Sequence, residues 1–99
     1  MVKPNEEEIK LINHVEEQVC KYFAVDTNAI VSNNRTSNVT MARGYIFYII
    51  HVDNNLSINK LANVYLRTAR AIFWHVNKVK SLIKQRVYKE IYQNICNSL

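Results

Sequence analysis

Residues 57–84 read SINKLANVYLRTARAIFWHVNKVKSLIK, and this stretch decides the fold. Ser57 is placed to cap a short helix, because its hydroxyl can accept from an orphan N–H two or three residues on. Ile58, Leu61, Ala62 and Tyr65 follow at spacings of three and four, which is one apolar stripe on a helix. The stripe breaks at Leu66-Arg67. Thr68 is placed to cap a second, longer helix with Ile72, Val76, Val79 and Ile83 on its inner face, widened by Phe73 and Leu82. The opposite side carries Arg70, Trp74, Asn77, Lys78, Ser81 and Lys84. Two short-linked helices, the second with a basic outer face, have the pattern of a helix-turn-helix that reads DNA. An ordinary helical hairpin with solvated lysines has the same pattern, and the turn lacks the glycine common in such motifs.

Outward from this stretch the whole chain reads as helix. Asn5 followed by Glu6, Glu7 and Glu8 is a helix start, since acids favour the positive end of the helix dipole. Ile9, Ile12, Val15, Val19 and Phe23 form its stripe. Asp26-Thr27-Asn28 is a turn and cap before one or two helical turns at Ala29-Ile30-Val31. Ser32 to Asn38 is a polar loop with Arg35 in its middle. A long helix is predicted over 39–52, with Ala42, Tyr45, Ile46, Ile49 and Ile50 inward and Arg43, Tyr48 and His51 outward. Gly44 inside it costs about 1 kcal/mol relative to alanine, which points to close helix packing. Asp53-Asn54-Asn55 stops that helix. The last helix spans 86–97, with Val87, Ile91 and Ile95 inward. With one glycine and one proline in 99 residues, the prediction is a single all-α domain, a five- to six-helix bundle over residues 1–99.

The charge is divided. Residues 1–26 hold three lysines against six acids, while residues 27–99 hold ten lysines and arginines against Asp53 and Glu90 alone. The body of the domain is therefore the part that seeks polyanions, and the first helix is acidic. Cys20 and Cys96 form no metal-binding spacing with one another or with histidine. Two reduced thiols or one disulfide joining the ends both fit the sequence. The first residues have no apolar core of a signal peptide, and no apolar run approaches membrane-spanning length, so a cytoplasmic protein is expected.

No catalytic constellation stands out. His14, His51 and His75 fall on three different helices, and His75 borders an apolar stripe, where a packed imidazole is expected rather than a ligand. Neither an enzyme nor a bound metal or cofactor is expected. Trp74 either touches DNA sugars or a partner from the outer side of its helix, or packs on a neighbouring helix.

The order of elements carries a resemblance. Tyr22-Phe23-Ala24-Val25, Ile30-Val31-Ser32, Arg35, Val39, Arg43 and Leu56-Ser57-Ile58 with the two helices after it resemble the C-terminal DNA-binding domain of the bacterial replication initiator DnaA. The similarity runs from about residue 11 to 95, without gaps from Tyr22 to Tyr65. It implies a helix-turn-helix of Trp-repressor type, with Arg35 entering the minor groove and Arg43 near the DNA backbone. The family's recognition-helix signature, Gly-Gly-Arg-Asp-His-Thr-Thr-Val, is here Leu66-Arg67-Thr68-Ala69-Arg70-Ala71-Ile72. One deletion aligns Arg67 with the signature arginine and Ile72 with its valine. The base-reading residues are thus replaced, so the initiator's target site is not inherited. The basic loop is thinned as well, with Asn33, Asn34, Ser37 and Met41 where the family has arginines. No phosphate-binding glycine loop is present, so neither a nucleotide-driven activity nor a nucleotide partner is expected.

The expected function is double-stranded DNA binding, in replication or transcription control of a bacterium, phage or mobile element. Arg35, Arg43, Lys60, Arg67, Thr68, Arg70, Trp74 and Lys78 are the candidate contacts, with Arg70 the residue expected to read a base. About four phosphate contacts would give a salt slope near −3 to −4. The alternative is a protein-interaction module that kept the fold and lost DNA readout, with the acidic first helix or the aromatics Trp74, Tyr48 and Tyr88 as its contact.

Overall fold

In the computed structural model, which describes residues 3–99, every regular element among those residues is helical. Six α-helices follow in order: α1 (Glu6–Phe23), α2 (Thr27–Val31), α3 (Ser37–Tyr48), α4 (Ile58–Tyr65), α5 (Ala69–Leu82) and α6 (Arg86–Ser98). Four of the six helix starts are those the capping residues mark. Asn5 Oδ1 accepts from Glu8 N–H at 2.8 Å while Glu8 Oε1 accepts from Asn5 N–H at 2.9 Å, a reciprocal cap for α1. Asp26 accepts from Asn28 N–H, Ser57 from Lys60 N–H and Thr68 from Ala71 N–H, starting α2, α4 and α5.

Three joints turn through left-handed residues that are not glycine: Ala24, Asn55 and Leu66, with φ of 55°, 58° and 53°. Leu66 N–H donates to Ala62 O and ends α4, leaving its side chain 90% exposed. α3 begins two residues earlier than expected and widens at its far end into a π-helical turn, Ile49–Asp53. Residues 54–56 tie that turn off. Asn54 Nδ2 donates to Ile49 O at 2.9 Å, and Leu56 N–H to Ile50 O at 3.2 Å. The Leu56 carbonyl in turn accepts at 2.7 Å from His51 Nδ1, which must carry the ring proton.

α3 is the centre of the domain, in contact with α1, α2 and α5. Every residue from Ala42 to Ile50 is buried. The expectation that Arg43, Tyr48 and His51 lie outside is corrected for the first two, while His51 is half-buried. A helix covered on several sides has no outer face there. Tyr48 meets Tyr92 of α6 edge-on, and Tyr45 Oη donates to Tyr88 O at 2.9 Å. Around α3 stand Ile12, Val15 and Val19 of α1, Leu61 and Tyr65 of α4, Ile72, Val76 and Val79 of α5, and Ile95 of α6. Three stripe positions are not core. Ile9 and Phe73 are about half exposed, and Val87 more so. In α6, burial increases from exposed Val87 through half-buried Ile91 to buried Ile95.

Gly44 marks the closest approach of α3 to α5. A Cβ there would lie 2.6 Å from Val79 Cγ2 and 3.8 Å from His75 O. Gly44→Ala is expected to cost about 1 kcal/mol net, because overpacking of about 1–3 kcal/mol outweighs the gain in helix propensity. Combining it with Val79→Ala should cost less than the sum of the single changes in urea denaturation, since the smaller side chain removes the overlap.

Candidate functional site

The loop after α2 is wound around two arginines. Arg43, on α3, is 3% exposed and donates four hydrogen bonds to main-chain carbonyls. Nε reaches Ile30 O at 2.9 Å, Nη1 reaches Asn34 O at 2.6 Å, and Nη2 reaches Ala29 O at 2.9 Å and Ser32 O at 2.6 Å. Arg67, in the turn before α5, adds bonds from Nη2 to Ile30 O at 3.2 Å and Ser32 O at 2.8 Å. The carbonyls of Ala29, Ile30 and Ser32 lie at the end of the short helix α2 and that of Asn34 in the loop after it, and cations suit the carbonyl-rich end of a helix. Small turns complete the loop. Ser32 Oγ donates to Ala29 O and accepts from Asn34 N–H, and Asn34 Oδ1 accepts from Thr36 N–H. Arg35 stands exposed within this frame.

The eight residues expected to contact DNA therefore separate. Arg43 is buried and Arg67 half-buried in the loop frame. Lys60 is half-buried and holds Glu8 of α1, with Nζ 2.8 Å from Oε2 and 2.9 Å from Oε1. That hydrogen bond, then the one from the Asn5 amide, keeps the Glu8 carboxyl below its usual range. Thr68 is engaged as the cap of α5. Arg35, Arg70, Trp74 and Lys78 are exposed. Trp74 is 55% exposed and packs edge-on against His75, with Lys78 Nζ 4.9 Å from its ring centre. Of the other aromatics considered as contacts, Tyr48 is buried and Tyr88 half-buried.

Between α3 and α5 lie two adjoining clefts. The first, about 290 Å³, is lined by Arg35, Thr40, Arg43, Arg67, Ala71, Trp74 and His75. The second, about 360 Å³, is lined by Arg35, Ser37, Thr40, Met41, Lys78 and Tyr88. Arg35 and Thr40 belong to both. Arg70, in the first turn of α5, lines neither. Thr40, Met41 and His75 did not stand out as site residues in the sequence, whereas Tyr88 was expected as a contact for a protein partner. Ser37, Thr40 and Met41 do share one helical face by their spacing, which was the available signal.

No aspartate or glutamate lines either cleft. Burial, then the charges of Arg67 and Arg35, lowers the Arg43 pKa, though a guanidinium stays charged. Burial, then Arg67, Arg43 and Lys78, pushes the His75 imidazole down to about 4. The region is thus strongly positive and suited to an anion rather than to acid–base chemistry. Both cysteines are free, and burial, reinforced by Glu16 and Asp26, pushes the Cys20 thiol up to about 11. Among the described residues no group of three His, Cys, Asp or Glu side chains could hold a metal ion, and no helix is long and apolar enough to cross a membrane. No family model matches the chain, and no curated protein matches it.

Proposed function

We propose that this chain binds double-stranded DNA, with α4 and α5 acting as a helix-turn-helix in the arrangement of the initiator's C-terminal domain. α5 would enter the major groove by its first turns, and Arg35 would enter the adjacent minor groove. The observation that carries this is the unpaired positive surface beside α5. Arg35, Arg70 and Lys78 are exposed there, and the only acids beyond residue 26 are engaged elsewhere, Glu90 with Arg86 and Asp53 with Tyr92. Arg70 is the base reader in this arrangement. Its neighbours Ala69 and Ala71 are small, and a guanidinium fits O6 and N7 of guanine.

Because Arg43 and Lys60 are engaged within the fold and Arg67 is engaged there through Nη2, Arg35, Arg70 and Lys78 are the fully free cations of the six considered. The slope of log K against log salt should therefore be near −3, and Arg35→Ala should reduce its magnitude by about one. Filter binding of duplex DNA across a salt series checks both values, and a flat salt dependence would sink the proposal. Selection from a random duplex library then tests Arg70. Arg70→Ala should relax preference at one position, whereas a uniform loss on every sequence would make it a phosphate contact.

One observation favours a second function, protein binding. Phe73 and Trp74 are adjacent on α5 and more than half exposed. No retardation of duplex DNA even at low salt would favour that role.

A further inference from the structure

Cations in a folded protein are normally balanced by nearby carboxylates. The cleft between α3 and α5 has no such balance. Arg35, Arg43 and Arg67 all line it, one from the loop, one from α3 and one from the turn before α5. The chain's carboxylates are elsewhere, and none lines the cleft or its neighbour. Arg43 directs its donors to four carbonyls, so it supplies charge rather than free N–H groups. Arg67 is different. Among the described residues it donates only from Nη2, and its buried Nε has no partner at all. Arg35 is exposed and makes no hydrogen bond from its guanidinium among the described residues. Thr40 adds a hydroxyl. The first turn of α3, whose cap residue Thr36 gives no side-chain hydrogen bond, borders the adjoining cleft at Ser37. Trp74 forms an apolar wall.

We propose that this cleft is a phosphate-binding site, with Arg35, Arg67 and Thr40 as donors to the anion and Trp74 as the wall against the group the phosphate carries. Phosphate suits the geometry better than carboxylate does. Its oxygens can accept at once from donors on three separate elements, and planar guanidinium groups match them in pairs. The space of about 290 Å³ is at the lower end of small-ligand sites, enough for a phosphate ester with a ring attached. The phosphate belongs to a free nucleotide or to a DNA strand, and in the second case Arg35 holds that phosphate instead of entering the minor groove. Binding of a free nucleotide does not require duplex binding.

Trp74 is the only tryptophan, so its fluorescence reports on this wall alone. The intact chain is titrated with inorganic phosphate, with deoxyadenosine monophosphate and with sodium chloride at matched ionic strength. Saturable changes with phosphate and with the mononucleotide, absent with chloride, are expected. Arg35→Ala and Thr40→Val leave the carbonyl frame of Arg43 and Arg67 in place, and each should weaken mononucleotide binding about tenfold. Equal responses to phosphate and chloride, or unchanged affinity in both variants, would overturn the site. A duplex arm then assigns the source. Displacement of bound duplex by the mononucleotide places a strand phosphate in the cleft. Mononucleotide binding without displacement, or without any duplex binding, makes a free nucleotide the ligand and leaves the site standing where the DNA proposal fails.

Discussion

Arg43→Ala is expected to destabilise the domain by about 3–4 kcal/mol, among the larger effects a single substitution can have. The change removes four donors from the carbonyls of Ala29, Ile30, Ser32 and Asn34, and it opens space beside a covered helix. In a domain of this size that corresponds to a fall in Tm on the order of 15–25 °C. Arg43→Lys should recover only part of the loss, because one ammonium cannot span carbonyls that a planar fork reaches in several directions. Arg35→Ala, eight residues earlier in the chain, should shift stability by no more than about 0.5 kcal/mol, since its side chain is exposed. Thermal or urea unfolding of the three variants checks the order. A DNA-binding defect in Arg43→Ala would then reflect a lost loop frame and not a lost phosphate contact.

The second large effect is on acid stability. His75 is packed between Phe47 and Trp74, with Arg43, Arg67 and Lys78 facing it from α3, the turn and α5. Its pKa lies at about 4 in the fold, depressed first by burial and then by those charges, against about 6.5 in the unfolded chain. Between these values the unfolded chain takes up a proton that the folded one does not. Stability therefore falls as the pH falls from about 6.5 towards 4, and the neutral imidazole has no such effect above that window. With allowance for solvent screening the loss is about 2 kcal/mol. His75→Gln should flatten this part of the curve. The low-lying Glu8 carboxyl, whose stabilising contribution is lost at still lower pH, remains in the variant and marks its own decline. A difference between the two chains that does not change from pH 6.5 to 4.5 would refute the assignment.

The local signals in the sequence carried most of the fold. Asn5, Asp26, Ser57 and Thr68 start helices because a capping side chain acts within three residues of itself. The stripes of α1, α4 and α5 are the buried faces because each of those helices has a free side. The stripe rule failed on α3. Residues 42–50 are apolar on nearly every side, which is itself the mark of a helix covered all round, and Arg43 in that run was a buried cation waiting for acceptors. Its acceptors are main-chain carbonyls, and these leave no trace in residue types. The Lys60–Glu8 pair joins elements far apart in the chain, as do the clefts, where a loop, α3 and α5 converge. Val87 and Phe73 have the right spacing for burial. Val87 lies in the first turn of α6, ahead of its buried part, and Phe73 stays half exposed on α5 between buried Ile72 and Val76.

The left-handed joints bear on how the chain meets a ligand. Ala24, Asn55 and Leu66 each hold a geometry that glycine adopts without strain, at a cost of about 1 kcal/mol apiece for the two that are not asparagine. In return, a residue with a side chain has fewer backbone states to lose on folding than glycine has. The only glycine in the chain lies inside α3, so none of the corners is a natural swivel. α4 and α5, capped at both starts and joined through Leu66, should keep their mutual angle in the free protein. Association with a partner would then demand little further ordering of these two helices, and affinity would depend on the contacts made rather than on a conformational change beforehand.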